Sequence, residues 1–222
     1  MCGRFTLFSD LKHIQLTLPI DAVHAKVTPN YNIAPTQPVL TVVQREGVNI
    51  LETMRWGLIP SWAKDAQIGY KMINARAETV AEKPSFKRSF QQRRCLIVAD
   101  GFYEWRKDGT KKTPMFIRLK SKRPFSFAGL YAIWKSPEGE AVTSCTIITT
   151  AANELMRSIH DRMPVILARK DQRVWLDPAD QDLGRRASLL KPYPEQSMEC
   201  YAVSPIVNSP QHNSPECIQS VE

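Results

Sequence analysis

The segment EWRKDGTKKTPMFIRL (104–119) places Asp108-Gly109 between two runs that alternate apolar and polar residues. An Asp-Gly pair so flanked is a strong hairpin signal, because glycine takes the positive φ that a tight turn between twisted strands requires. Working outward, CLIVAD (95–100) upstream is an apolar run of strand length, and PFSFAGLYAIW (124–134) and VTSCTIITT (142–150) downstream are two more. VLTVVQREGVNILETMRW (39–56) repeats the hairpin pattern, turning at Glu46-Gly47, and MECYAVSPIV (198–207) supplies a late strand. Helical patterns are few and short. Ser9-Asp10 caps a turn carrying Leu11, Ile14 and Leu18, and AANELMRSIH (151–160) spaces Ala152, Leu155, Met156 and Ile159 on one face. KDQRVWL (170–176) and QDLGRRASLL (181–190) add two more helices, and PSFKRSFQQRR (84–94) reads as a basic surface helix or ordered loop. Strands in meander order with few intervening helices predict an α+β fold. The expectation is one domain whose antiparallel strands curl into a barrel-like sheet with flanking helices.

The chain of 222 residues suits a single domain, and 43% hydrophobic residues are enough for a core. Thirty Lys and Arg against 22 Asp and Glu give a net charge of +8, which favours a polyanionic partner such as nucleic acid. The five cysteines (Cys2, Cys95, Cys145, Cys200, Cys217) form no CxxC pair and no metal-ligand spacing, so neither a metal nor a disulfide framework is expected. No apolar stretch approaches the 18 residues of a membrane span, and the start lacks the apolar run of a signal peptide. A cytoplasmic protein with reduced thiols and no membrane association is expected, nucleoid-associated if the source is bacterial. Phosphate-loop, GxGxxG, HExxH and GxSxG motifs are all missing, which weakens nucleotide-dependent, zinc-protease and esterase readings. No cofactor is expected. The terminal stretch NSPQHNSPECIQSVE (208–222) is polar and is expected to be loose.

Four stretches carry reactive groups in apolar or tightly turned surroundings: MCGRF (1–5), INARAET (73–79), DGFYEW (100–105) and IHDRMP (159–164). Asn74 and Arg76 alternate with Ile73 and Ala75, so they share one face of an extended chain. Glu104 lies between Tyr103 and Trp105, and a carboxylate desolvated by aromatics is readied for proton transfer. Of the four histidines, His160 alone ends a helical pattern beside other polar candidates. Taken singly, Asn74 is a turn former, Glu104 an edge-strand ion-pair partner and His160 a helix cap. Nothing in their spacing alone brings them together. Removal of Met1 leaves Cys2 as a bare 1,2-aminothiol, a group whose nitrogen and sulfur can both bond one carbonyl carbon.

The stretches MCGRF, YNIAP, RWGLIPSW, INARAET, ADGFYEW and IHDRMPVIL, in this order and spacing, closely resemble the SRAP family (SOS-response-associated peptidases, abasic-site processing proteins). The resemblance runs from Cys2 to about residue 210, implying a domain over 2–210 followed by a tail at 211–222. It implies a protein that binds single-stranded DNA and crosslinks to an abasic site through Cys2; a monomer is expected. Asn74, Glu104 and His160 carry over as the other active-site residues. Arg4, Arg76 and Arg162 fall inside the matching motifs and suit phosphate contacts, with Thr149 adding a hydroxyl and Pro35 and Trp62 forming a wedge or stacking platform.

The implied chemistry suits the aminothiol. An α-amine with an ordinary pKa of about 7.7–8.0 is appreciably neutral near physiological pH and forms a Schiff base with the ring-opened sugar aldehyde. The thiol then closes a thiazolidine. Self-removal of Met1 (a peptidase activity) and strand cleavage from the imine (a lyase activity) are compatible with the same residues. The rival class is an N-terminal-nucleophile hydrolase of the class II glutamine amidotransferase kind, which also begins Met-Cys-Gly, although Arg4 follows Gly3 here and none of that class's later motifs is found. A plain single-stranded DNA binder without chemistry is the third alternative.

Overall fold

A computed structural model describes residues 2–221. Met1, on whose removal the reading of Cys2 depends, lies outside them. Thirteen strands are found among the described residues: β1 (Phe5–Leu7), β2 (Ala22–Val23), β3 (Asn30–Ile33), β4 (Pro38–Arg45), β5 (Val48–Trp56), β6 (Asn74–Arg76), β7 (Arg94–Ala99), β8 (Gly101–Asp108), β9 (Lys111–Leu119), β10 (Phe125–Lys135), β11 (Ala141–Ala151), β12 (Arg162–Pro164) and β13 (Met198–Ala202). Five short α-helices flank them: α1 (Leu11–Thr17), α2 (Pro84–Gln92), α3 (Glu154–Arg157), α4 (Arg169–Leu176) and α5 (Leu183–Ser188).

Both expected hairpins form. β4 and β5 pair to Arg45↔Val48 around Glu46-Gly47, and β8 and β9 pair to Asp108↔Lys111. The second turn is Gly109-Thr110, one residue later than the Asp-Gly pair suggests, with Gly109 at φ +58° in the left-handed region.

Strands β4, β5, β11, β10 and β7 close a five-stranded barrel. Most pairings are antiparallel, but closure comes from a parallel contact, Ser144↔Arg55 and Cys145↔Trp56. Side chains of the barrel strands such as Trp56, Leu51, Ile97, Phe127 and Ile147 are all fully buried. A second sheet, ordered β13-β9-β8-β1-β3, packs beside it. The chain passes from barrel to second sheet at Asp100-Gly101, between β7 and β8. Asp100 anchors that crossing: its carboxylate accepts hydrogen bonds from the Phe8 and Ser9 amides at 2.6 and 2.7 Å and from the Ser9 hydroxyl at 2.6 Å. A Cβ at Gly101 would lie 2.3 Å from the Phe116 ring, so only glycine lets β8 and β9 approach here.

Phe5 ties the N-terminal strand to the barrel. Its ring meets Trp56 edge-on at 5.0 Å and Phe127 at 5.7 Å. Burying such a ring contributes about 1.5–3 kcal/mol, with about 0.5–1.5 kcal/mol more from edge-on pairing. That anchor holds residues 2–4 in register against β8, where the Tyr103 amide donates to the Arg4 carbonyl at 2.9 Å.

Two expectations change. The helix anticipated over 151–160 is only the single turn α3, because Ala151 still belongs to β11 and Asn153 caps the turn by accepting from the Met156 amide. The segment after residue 210 is not loose. Cys217 is fully buried, the Tyr103 hydroxyl donates to the Cys217 carbonyl, and Val221 donates to the Ala202 carbonyl at 3.1 Å. The polar composition there is spent on turns and backbone partners, with Cys217 as the apolar plug.

Candidate active site

Strand β11 organises the site. Its first part belongs to the barrel, and its last residues serve as a shared edge: β6 pairs along one side (Ile147↔Asn74, Thr149↔Arg76) and β12 along the other (Thr149↔Pro164, Ala151↔Arg162). Two motifs far apart in sequence, INARAET and IHDRMP, are thereby laid next to each other. Pleating then sorts the side chains: Ala75 turns into the core, while Asn74 and Arg76 face outward.

Asn74 reaches the N-terminal strand, its side-chain amide donating to the Cys2 carbonyl at 2.9 Å. Cys2 itself is fully buried, its thiol 3.8 Å from the Arg4 carbonyl. Burial and then the charge of Glu104 push this thiol well above the usual cysteine range. Glu104, on β8, is only 4% exposed. Burial raises its carboxyl above the ordinary range, opposed by the positive charge of His160 and by the Trp105 amide. His160 follows α3, and it lines with Glu104 an open cavity of about 410 Å³. The four expected catalytic residues therefore converge: Asn74 on Cys2 by hydrogen bond, Glu104 on Cys2 by charge, and His160 on Glu104 across a common cavity.

The His160 ring has two competing neighbours at Nδ1, the Arg162 amide at 3.0 Å and the Asp161 carboxylate at 2.7 Å. One nitrogen cannot accept from the first while donating to the second. The Arg162 amide is fixed by backbone, so it sets the neutral ring, with the proton on Nε2 and directed elsewhere. Asp161, whose side chain is 86% exposed, becomes the partner when Nδ1 is protonated.

The residues expected to bind DNA divide differently. Arg76 is exposed and forms no ion pair among the described residues. Arg162 is held by Glu78 through two hydrogen bonds of 2.6 and 3.0 Å and by the Thr149 carbonyl at 2.6 Å, and the same pairing draws the Glu78 carboxyl below its usual range. Arg4 is half-buried, with Nη1 donating to Asn32 Oδ1 and the Val207 carbonyl, both at 2.7 Å. Trp62 is 59% exposed, on the loop leaving β5, and Pro35 is half-buried on the loop that the Thr36 amide ties to the Trp56 carbonyl. Thr149, expected to offer a hydroxyl to DNA, is fully buried, and its Oγ1 lies between the Ala75 carbonyl at 3.4 Å and Arg162 at 3.3 Å, where it orients Arg162.

Trp105, Lys107, Lys112 and Asn208 also line the cavity that holds Glu104 and His160. Their signal in the sequence is weak, since lysines at a hairpin tip are ordinarily solvated. The Glu78–Arg162 pair had no signal at all, its members being 84 positions apart.

The strand that begins at Cys2 is tied by Asn74, and a buried carboxylate and a histidine line the cavity beside it. Comparison with known proteins gives the family. The model of the SOS response associated peptidase (SRAP) family matches residues 1–210, and the chain belongs to that family. The abasic site processing protein YoqW of Bacillus subtilis (strain 168) is 53% identical over 223 residues, covering 99% of this chain and all of that protein. The abasic site processing protein HMCES of Xenopus tropicalis is 34% identical over 227 residues, covering 88% of this chain and 67% of the relative. A crystal structure of a Bacteroides thetaiotaomicron protein superposes with a TM-score of 0.88 at 28% identity, over the full length of both chains.

Proposed function

We propose that this chain processes abasic sites in DNA, and that it does so by covalent capture of the lesion in single-stranded DNA once removal of Met1 has freed the Cys2 amine. The observation that carries the reading is the convergence of Asn74, Glu104 and His160 on Cys2.

His160 gives a proton to the ring oxygen of the closed sugar and regains one from the anomeric hydroxyl, opening the hemiacetal to the aldehyde. The neutral amine adds to C1′, and Glu104 accepts the proton that the nitrogen sheds. Glu104 returns that proton to the new alkoxide, giving the carbinolamine, and then carries the second N–H proton to the departing hydroxyl, so water leaves and an imine forms. The Cys2 S–H then adds across the C=N bond, sulfur to carbon and proton to nitrogen, closing the five-membered ring. The net change is loss of one water. Burial keeps the thiol protonated, so nitrogen leads and sulfur follows. That order disfavours the amidotransferase alternative, whose first step needs the sulfur as nucleophile. Asn74 holds the Cys2 carbonyl and with it the direction of the amine.

Arg76 and Arg162 form the phosphate-binding rim, Trp62 and Pro35 the stacking platform, and Arg4 acts from within, bracing the strand that bears Cys2. Elimination from the imine, with strand cleavage, competes with ring closure and takes its place whenever the sulfur is missing. Hydrolytic removal of Met1 by the same Glu104–His160 pair is part of the proposal.

Intact-mass spectrometry before and after exposure to single-stranded abasic DNA tests the reading. The expected result is a chain lacking Met1 that gains the mass of the DNA less one water. A stable adduct of the same yield from Cys2→Ala, or no adduct from the wild type, overturns it.

A further inference from the structure

The tip of the β8–β9 hairpin sets Lys107 directly opposite Lys112 in the ladder. Like charges facing each other across an antiparallel pair are destabilising. Neither lysine forms an ion pair among the described residues. Asp108 does not relieve them, because it stands opposite Lys111 and alternation turns that pair to the other face. The hairpin thus carries a repulsion that its own fold leaves unopposed.

The position of the pair suggests its use. Lys107 and Lys112 line the cavity of about 410 Å³ that also holds Glu104, His160, Trp105 and Asn208. Trp105 precedes Lys107 by two residues and so shares its face of β8. Its ring is half-buried and fixed, Nε1 donating to Asn208 Oδ1 at 2.8 Å. The paired part of β1 ends opposite Phe102, and beyond Glu104 that edge of β8 has no strand partner among the described residues. The cavity lies at this edge of β8, lined by Glu104 and His160 as well as by the two lysines. Its volume falls within the roughly 300–1,000 Å³ typical of small-ligand sites.

We infer that this cavity is a nucleotide subsite for single-stranded DNA beside the reacting centre, with Trp105 offering an indole face to one base and Lys107 and Lys112 taking the phosphates that flank it. The inference rests on the reading of the chain as an abasic-site-binding protein. An indole and two ammonium groups lack the directional pattern that reads a base edge, so the subsite is indifferent to sequence. A base paired in a duplex is not free to lie on the indole, which restricts the subsite to unpaired strands.

The test uses the full chain and a single strand carrying a tetrahydrofuran abasic analogue, which cannot open to an aldehyde, so binding is read without crosslinking. Each phosphate neutralised on a single strand contributes about 0.7 to the slope of log affinity against log salt. Lys107→Gln/Lys112→Gln is expected to make that slope shallower by about 1.4, so the loss of affinity between about 50 and 200 mM salt becomes about sevenfold smaller. Trp105→Leu is expected to weaken binding about tenfold at fixed salt with the slope unchanged. The lysine variant changes only exposed side chains and stands as the test even where the Trp105 variant fails to fold. Unchanged affinity and slope in the lysine variant overturn the subsite. Displacement of the strand by a mononucleotide as readily as by a short oligonucleotide overturns its assignment to DNA. Failure of the wild type to bind the analogue, or to gain mass with a reactive abasic strand, overturns the underlying reading instead.

Discussion

The side-chain amide of Asn74 donates to the backbone carbonyl of Cys2 at 2.9 Å, joining the short strand β6 to the residue on which the chemistry depends. That bond crosses from the barrel edge to the second sheet, so it fixes the strand's direction as well as its distance. Asn74→Ala removes one hydrogen bond, worth about 1 kcal/mol of stability, and leaves Cys2 free to shift. Because small displacements of a reacting group are costly, single-turnover crosslinking is expected to slow by about ten- to a hundredfold. Affinity for intact single-stranded DNA is expected to stay as in the wild type, and a parallel loss of affinity would mean that Asn74 serves binding instead.

Glu104 gives a prediction in which stability and activity move apart. Burial raises its carboxyl in the folded chain, so the folded state holds its proton to higher pH than the unfolded state does. The fold is therefore favoured by this group below the ordinary carboxylate pKa, and the advantage is lost as pH rises through the raised value. Glu104→Gln removes the titration. It is expected to raise the melting temperature at neutral pH and to flatten its dependence on pH across that window. The same variant loses the proton carrier, and crosslinking is expected to fall on the order of 10²–10⁴-fold. Melting curves from pH 4 to 8 beside single-turnover rates check both halves, and a variant that is both less stable and fully active would contradict the assignment.

How far the sequence reaches is visible in these same residues. The hairpins were legible because their cause is local: a turn glycine between alternating runs. The face shared by Asn74 and Arg76 was legible for a similar reason, since pleating has a fixed period. Closure of the barrel was not, because it depends on Arg55 and Trp56 lying parallel to Ser144 and Cys145, and no short-range pattern specifies so distant a pairing. The burial of Thr149 follows from strands adding to both edges of β11, again a non-local event. The composition of the terminal segment misled for a different reason. Polar residues there satisfy buried backbone groups, and a count of polarity does not distinguish that from solvation.

That terminal segment bears directly on the site. Asn32 donates to the Ser209 and His212 carbonyls at 2.9 and 2.8 Å, while its own Oδ1 receives Arg4. The terminal residues therefore brace Arg4, two positions from Cys2. Truncation after Pro210 removes the His212 partner, the buried Cys217 and the carbonyl that receives the Tyr103 hydroxyl. A loss on the order of 3 kcal/mol is expected from the lost burial and hydrogen bonds, measured by denaturant unfolding. Crosslinking by the truncated chain is expected to slow even where it remains folded. A truncated chain as stable and as fast as the full one would make the segment dispensable.

Trp62 offers the sharpest separation of grip from chemistry. It is 59% exposed, and its loop is held from behind, the Trp134 indole donating to the Ala63 carbonyl at 2.6 Å. An aromatic presented to solvent on a braced loop contributes little to folding, so Trp62→Ala is expected to leave the melting temperature near that of the wild type. Loss of one base-stacking partner costs about 1–3 kcal/mol of binding, which corresponds to about a 5- to 150-fold rise in Kd for single-stranded DNA. Trp62→Phe keeps a ring and is expected to retain most of the affinity. At saturating protein the crosslinking rate of both variants is expected to match the wild type, because a stacking side chain adds to binding and takes no part in the proton transfers. Fluorescence anisotropy with intact DNA, read beside single-turnover rates with abasic DNA, separates the two effects, and a slower saturated rate with unchanged affinity would move Trp62 from the platform to the reacting centre.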